Sequence, residues 1–543
     1  MSILLSLLCV TAVAAGAAPP DFQATLDEQT KAAPGTGYVV GVMDSGGVSY
    51  FHSGASGNER LLDEHTVFEI GSVTKTFTAT ILASMVLDHS VSLNDPVSKF
   101  LPSSVRVPSR NGKQITLLNL ATQQSGLPRL PTNMDETNTV DPYASYTVKK
   151  MYAFLNSYRL PRDPGTACEY SNVGIGLLGV ALANRAHTSY WQLLRRRVLE
   201  PLGMHDTALS SSMTSGMNAR MAVGHDADGN AVKPWNADAI APAGGLRSTA
   251  ADMLRFVRCA MGRGPLAKAC VFAQQPRAPV PAGRIGLVWM QGDIQHLIWH
   301  NGETGGFTSA VAVSQDHAKG VIVLSNGIGN ADALAFHMLD ARNAVPMPQA
   351  SLQLDAAAVD EYTGSYTAAA EHLTFTLTHN GGALMAALTG QAALRVYASS
   401  KDHFYYRAVP ATMEFTRDAH GKINALILHQ NGQSLTFIRA GMTAPAPQAS
   451  GSAATVSLDA ATLDQYVGTY IIGPSAGFVI RRDGSALMAQ LTGQPFFEIY
   501  ASAKDHFFYK VVEAQLEFTR DANGRVTGLI LHQNGRDIPA TKQ

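Results

Sequence analysis

Apolar positions follow two different periods along this chain, and the change between them marks out its parts. Before residue 349 the two periods alternate. Gly37-Tyr-Val-Val-Gly-Val-Met-Asp44 and Gly47-Val-Ser-Tyr-Phe51 are short β-branched and aromatic runs parted by a turn, which predicts an opening hairpin. Thr74 to His89 and Val173 to Ala186 carry helical spacing. Gly320-Val-Ile-Val-Leu-Ser325 returns to strand, and Ala331 to Asn343 closes as a helix. Strands at both ends with helices between them predict an α+β domain whose sheet unites the two termini.

After residue 349 the helical period disappears. Ala383 to Gly432 aligns without gaps to Ala486 to Gly535, with 32 of 50 positions identical, so this region is a tandem duplication. Tyr362-Thr-Gly-Ser-Tyr366 pairs with Tyr466-Val-Gly-Thr-Tyr470 at an offset one residue longer. Within a copy, Phe375-Thr-Leu-Thr, Leu394-Arg-Val-Tyr, His403-Phe-Tyr-Tyr and Met413-Glu-Phe-Thr read as strands. Asn380-Gly381-Gly382, Asp418-Ala-His-Gly421 and Asn431-Gly432 supply turns. Each copy is expected to form a small antiparallel barrel or sandwich. The expected division is a leader at 1–18, an α+β domain at 19–348, β units at 352–440 and 458–543, and a Pro/Ala/Ser linker at 441–457.

The leader changes the picture of where the protein works. Ile3 to Ala15 is apolar, and Ala15-Gly16-Ala17 has the small residues of a cleavage site, so export to a periplasm or the medium is expected. A membrane anchor is the alternative, but the run is shorter than the about 20 residues a span needs. Leu8 before Cys9 does not fit a lipoprotein signal. With the leader removed, no integral membrane segment is expected. Cys168, Cys259 and Cys270 then remain, and the last two either pair or stay as buried thiols. Lys+Arg is 41 against Asp+Glu 42, with no basic run for a polyanion or an anionic leaflet. The expected partner is a small molecule or short peptide, with no nucleic acid. No Cys/His grouping has zinc spacing, so neither metal nor cofactor is expected.

Three motifs carry chemistry. In Ser72-Val73-Thr74-Lys75, a helix places Ser72 and Lys75 on one face. A serine hydroxyl needs an adjacent base, and a lysine buried among apolar groups loses its proton more easily. In Tyr170-Ser171-Asn172, a phenol near that lysine is expected to ionise more readily and to relay the serine proton. Asn172 offers an amide to grip a substrate carbonyl and to orient Lys75. In His300-Asn301-Gly302-Glu303-Thr304-Gly305-Gly306, the glycines permit close backbone approach, and the Glu303 N–H can join that of Ser72 in an oxyanion hole. Taken singly, each motif has an ordinary structural explanation: a capping serine, a half-buried tyrosine, a strand-end histidine.

Together and in this order they resemble the class C β-lactamase and penicillin-recognising peptidase superfamily. Gln124-Ser-Gly-Leu-Pro-Arg-Leu130, Glu200-Pro-Leu-Gly-Met-His-Asp-Thr207 and Ala243-Gly-Gly-Leu-Arg-Ser-Thr-Ala250 extend the likeness over residues 21–346. The resemblance implies an antiparallel sheet flanked by helices, an all-helical subdomain, and a site between them. It implies Ser72, Lys75 and Tyr170 as catalytic residues, and Asn172, His300, Gly302 and Glu303 as substrate-binding ones. Class C enzymes usually carry Lys-Thr-Gly where this chain has His300-Asn301-Gly302, and a neutral histidine offers a substrate carboxylate no fixed charge. Histidine there is familiar in penicillin-recognising peptidases and D-aminopeptidases, whose arrangement with two trailing barrels is also similar. The expected activity is hydrolysis, through an acyl-enzyme on Ser72, of an amide or peptide bond in a small substrate that can contain D-residues. A β-lactamase or an esterase of the same superfamily, or a degenerate peptide-binding protein, are the alternatives.

Overall fold

The computed structural model describes residues 18–543 other than 32–34, 136–137, 139, 281–282, 293–296, 347–351, 353, 370–372, 381–382, 390–392, 407–410, 419, 431–432, 443–454, 474–475, 493–495, 510–513, 522 and 534–535. The leader, up to residue 17, most of the linker, and the glycine turns at 381–382 and 431–432 therefore lie outside the described residues.

The first part is built on one antiparallel sheet. In chain order its strands are β1 (Gly37–Asp44), β2 (Gly47–Gly54), β3 (Ala278–Val280), β4 (Gly283–Ile285), β5 (Met290–Gly292), β6 (Leu297–Glu303), β7 (Thr308–Ser314) and β8 (Gly320–Ser325). Across the sheet they run β3-β4-β5-β6-β7-β8-β1-β2, so the opening hairpin joins the last strand, as the sequence pattern predicts. The central strands are buried on both faces because successive side chains enter different cores. Val40, Val42, Ala310, Ala312, Val321 and Val323 pack with Phe22 and Leu26 of α1 (Phe22–Lys31) and Leu334 and Phe336 of the closing helix. Val39, Val311, Val313, Ile322 and Leu324 face the larger core.

Two buried helices occupy that larger core, α2 (Thr74–Leu87) and α3 (Asn172–Arg185), with α4 (Ala250–Ala260) against the sheet and α5 (Ala331–Leu339) closing the other face. Phe77 of α2 stacks on Phe256 of α4 at 4.0 Å between ring centroids, and Phe256 stacks in turn on Trp289. Two helices end sooner than their apolar pattern: α2 stops at Leu87 because His89 turns to φ 59°, and α5 stops at Leu339 because Asp340 is extended. Cys259 and Cys270 face each other from α4 and the helix Ala267–Gln274, their Cα atoms 5.8 Å apart, and are disulfide-bonded; Cys168 is free.

The duplicated tail forms two closed eight-stranded barrels, from Gly364–Ala368 to Gln433–Arg439 and from Gly468–Gly473 to Arg536–Lys542. Both interiors are filled by aromatic rings, Tyr362, Phe404 and Phe415 in one copy and Tyr466, Phe507 and Phe518 in the other. Asp402 accepts from the Tyr362 hydroxyl (3.0 Å) and from Arg417 (2.7 Å); Asp505 does the same with Tyr466 (2.9 Å) and Arg520 (2.6 Å). The first barrel docks on the α+β part at the hairpin Gly224–His225/Ala231–Val232. Tyr397 donates to Ala227 O (3.1 Å) and to the Asp228 carboxylate, and Arg395 pairs with Asp228 at 3.4 Å. In the second copy Glu498 stands at the place of Arg395, and Tyr500 donates to it instead.

Candidate active site

Ser72 lies in a single tight turn, Gly71–Val73, that leads into α2. Gly71 takes φ 46°, and a Cβ there would stand 2.6 Å from the Glu303 nitrogen, so only glycine lets the turn touch β6. One helical turn on, Lys75 is wholly buried. Its Nζ is 2.7 Å from Ser72 Oγ and donates to Ala243 O at 2.7 Å. Burial, helped by the nearby Arg129 charge, holds Lys75 well below the usual lysine range. A neutral amine can accept the Ser72 proton; an ammonium cannot.

Tyr170 precedes the N-cap of α3, and its hydroxyl lies 2.6 Å from Ser72 Oγ. The loop Gln123–Arg129 clamps this motif: Gln123 Oε1 accepts from Ser171 N (2.8 Å), Pro128 O from Ser171 Oγ (2.7 Å), and Arg129 O from Asn172 N (2.9 Å). The expectation of an easily ionised phenol is overturned. Burial pushes Tyr170 up to about 12, against the opposing pull of the Ser72 hydrogen bond and the Arg129 charge. Lys75, whose Nζ stands 4.7 Å from the ring centroid, is itself desolvated and supplies no firm charge to favour the phenolate. Tyr170 is therefore a neutral phenol that donates to Ser72 Oγ.

Asn172 makes no hydrogen bond to Lys75. Its Nδ2 donates to the Tyr143 hydroxyl at 3.3 Å, and its buried Oδ1 has no hydrogen-bond partner among the described residues. Ala243 O takes the place at Lys75 expected of Asn172.

On β6 the alternation of the strand decides what faces the cavity. Thr304 N donates to Phe307 O at 3.0 Å, and Gly302 and Glu303 oppose Ser309 and Thr308. In an antiparallel ladder this turns the Glu303 N–H away from β7. On that side, among the described residues, β5 pairs only with Ile298 and Trp299, and the Ser72 turn packs against the strand beyond them. A Cβ on Gly302 would stand 2.9 Å from Ser72 N, and Ser309 Oγ donates to Ile70 O at 2.8 Å, fixing strand to turn. His300 points inward: it is buried, its Nδ1 is 2.6 Å from Asn301 O, and its ring lies 6.5 Å from that of Tyr170. It lies behind the residues that line the cavity, on the same strand face as Gly302. Burial, then the Lys75 charge, bring it down to about 3, so it is neutral.

The resulting cavity, about 510 Å³, is lined by the sequence candidates Ser72, Tyr170, Asn172, Gly302 and Glu303, and by residues to which the sequence gave no role: Arg129, Tyr143, Trp235 and Asp332 among them. Arg129 sits within the Gln124–Leu130 motif, which is the sequence signal for it. The Arg129 guanidinium lies 5.2 Å over the Tyr170 ring. Trp235 is fixed by Arg247, which bonds Trp235 O (3.0 Å) and the buried Glu69 carboxylate (3.0 Å). Among the described residues no group of three or more His, Cys, Asp or Glu side chains is placed to hold a metal ion. No helix among them is long and apolar enough to cross a membrane. A hydroxyl bonded to both a neutral amine and a phenol, beside two backbone nitrogens on one cavity wall, can perform nucleophilic acyl transfer.

Known proteins share this framework. A D-alanyl-D-alanine-carboxypeptidase/endopeptidase of Escherichia coli, AmpH, is 35% identical over 193 residues, 36% of this chain and 48% of that protein, so the chain spans about half the length of this relative. A β-lactamase of Pseudomonas fluorescens is 28% identical over 331 residues, 53% of this chain and 88% of its own. The crystal structure of a β-lactamase/D-alanine carboxypeptidase from Yersinia pestis superposes with a TM-score of 0.50 at 25% identity, covering 56% of this chain and 93% of that one. A class C β-lactamase in complex with cefoxitin gives 0.51 at 23%, covering 59% and 99%, and so shares the fold. Residues 349–439 and 452–542 each match a domain of unknown function (DUF3471), once per barrel. Residues 22–343 match the Beta-lactamase family, to which the chain belongs.

Proposed function

We propose that this protein is an exported serine hydrolase that cleaves an amide or peptide bond in a small substrate, including substrates with D-residues, through an acyl-enzyme on Ser72. The observation that carries the reading is the double hold on Ser72 Oγ, by Lys75 Nζ at 2.7 Å and the Tyr170 hydroxyl at 2.6 Å. Lys75 takes the serine proton as Oγ attacks the carbonyl. The oxyanion is received by the N–H groups of Ser72 and Glu303. The proton then passes from Lys75, through Tyr170, to the leaving nitrogen, and water releases the acyl group by the reverse path. Asn172 and Gly302 position the substrate. The names of its relatives, a carboxypeptidase/endopeptidase and β-lactamases, support acyl transfer at carbonyls of this kind. Export is supported by the apolar leader and by the Cys259–Cys270 bond, which suits an oxidising compartment.

The test is labelling with a fluorophosphonate and a fluorescent penicillin, with a panel of D-aminoacyl amides, nitrocefin and p-nitrophenyl esters. One adduct on the Ser72 peptide is expected, with amide turnover that Ser72→Ala abolishes. An adduct on another serine, or turnover that survives Ser72→Ala, overturns the proposal.

A further inference from the structure

The two barrels have the same strand order and share 32 of 50 aligned residues. Yet among the described residues the hydrogen bonds and ion pairs to the hairpin tip, Ala227 and Asp228, come from the first barrel alone. In its strand Leu394–Ser400, Val396 and Ala398 point into the barrel core, so Arg395 and Tyr397 share the opposite face. The Arg395 guanidinium lies 4.8 Å over the Tyr397 ring and 3.4 Å from the Asp228 carboxylate, which also accepts from the Tyr397 hydroxyl. Tyr405 packs beside Tyr397 at 5.6 Å between centroids, and both rings are only 6% exposed.

The second copy keeps the framework of this face and reverses its charge. Tyr500 and Phe508 form the equivalent ring pair at 6.0 Å, but both are half-buried rather than buried. Glu498, at the place of Arg395, is exposed, and the Tyr500 hydroxyl donates to it at 2.8 Å. Seated on the hairpin, this barrel would bring a second carboxylate against Asp228. The single phenolic proton of Tyr500 is already given to Glu498, and Phe508 lacks the hydroxyl of Tyr405. Selectivity between near-identical partners is gained by such a repulsive element as much as by attraction. Tandem duplication creates the need for it. Two tethered units of one shape compete for one seat at high local concentration, and wrong docking is a characteristic failure of repeat proteins.

We infer that the face around Arg395 and Tyr397 is a docking surface keyed to the acidic hairpin tip, and that Glu498 bars the second barrel, of the same chain or of another copy, from that seat. The duplicated barrels are therefore not interchangeable. The difference between Arg395 and Glu498 assigns the first to the α+β part and keeps the second off the hairpin. This assignment does not depend on the reaction at Ser72.

A photoreactive benzoylphenylalanine at Ala231, an exposed residue of the hairpin, reports which barrel is seated there in the full-length protein. Digestion and mass spectrometry tell the barrels apart, because Leu394-Arg-Val-Tyr397 and Phe497-Glu-Ile-Tyr500 differ in sequence. Cross-links are expected on the first barrel. Asp228→Lys should move the ratio of first- to second-barrel cross-links about three- to thirtyfold toward the second, the range for reversing one partly exposed ion pair. Glu498→Arg, with Asp228 intact, should move it the same way, and high salt should shrink both shifts. Both positions are exposed, and thermal melts check that the variants fold. Absence of first-barrel cross-links in the unmodified protein, equal sharing between the barrels, or a ratio that neither substitution moves overturns the inference.

Discussion

Gly71 and Glu303 meet backbone to backbone, so closely that the nucleophile's turn and the edge of the sheet act as one piece. Gly71→Ala puts a methyl group 2.6 Å from the Glu303 nitrogen in a left-handed conformation. The expected cost is about 1–3 kcal/mol of stability from the strained backbone. Activity should fall further than stability, because the two N–H groups separate. Thermal melts alongside ester kinetics check this, and wild-type kcat/KM in Gly71→Ala would show that the contact is dispensable.

The lowered proton affinity of Lys75 sets a pH dependence. Lys75 is active when neutral, so kcat/KM should rise with pH through its folded-state pKa and then level. Since burial depresses that value, the rise should lie well below the ordinary lysine range near 10.4. His300, brought down to about 3, contributes nothing above that pH. A pH–rate profile of a neutral ester tests the sign; activity that appears only above pH 10 would mean that Lys75 is charged in the resting protein.

Tyr170→Phe removes the donor 2.6 Å from Ser72 Oγ and leaves Lys75 in place. A loss of about 10²–10⁴-fold in kcat is expected for a proton relay. The loss should be larger for amides than for p-nitrophenyl esters, whose leaving group needs no proton. Equal losses on both would assign Tyr170 to positioning alone.

Arg129 is the one cation lining the cavity among the described residues. With His300 neutral and turned inward, a β-lactam carboxylate misses the charge-assisted bond that a lysine would give, about 1.5–3 kcal/mol. Nitrocefin kcat/KM is therefore expected to be about ten- to hundredfold below what a lysine contact would give, while a neutral ester loses nothing. Arg129→Ala should lower it again. Efficient nitrocefin hydrolysis would make β-lactam cleavage the leading reading.

The Cys259–Cys270 bond closes a short loop between two packed helices. Opening it should cost about 2–3 kcal/mol. Reduction followed by alkylation ought to lower the melting temperature while Ser72 labelling persists, since the bond is remote from the cavity lining. An unchanged melting temperature would show that helix packing alone holds the loop.

The spacing of Ser72 and Lys75, the Tyr170 motif, the sheet that unites both ends of the first domain and the duplicated β units were all legible in the sequence. They rest on local period and on identity between two copies. The chemical state of Tyr170 was not legible, because it depends on how deeply the phenol and Lys75 are buried in the folded domain. Strand alternation places His300 on one face with Gly302, both buried, and leaves Asn301 and Glu303 exposed on the other. The alternation was readable in principle; which face opens on the cavity was not. Arg129, Trp235 and Asp332 arrive from three loops or helix ends far apart in the chain, and no single-sequence pattern joins them.

The hairpin that the first barrel grips has two ends with different company. Its tip, Ala227 and Asp228, is held by Tyr397 and Arg395, while Gly224 and Val232 at its base pack against Gly306. Gly305 and the cavity residue Trp235 lie alongside. Thermodynamic linkage makes such an arrangement reciprocal: whatever free energy barrel docking adds to ligand affinity, the bound ligand returns to barrel docking. The barrel's grip and the occupancy of the cavity can therefore be measured against each other, from either end of the same hairpin.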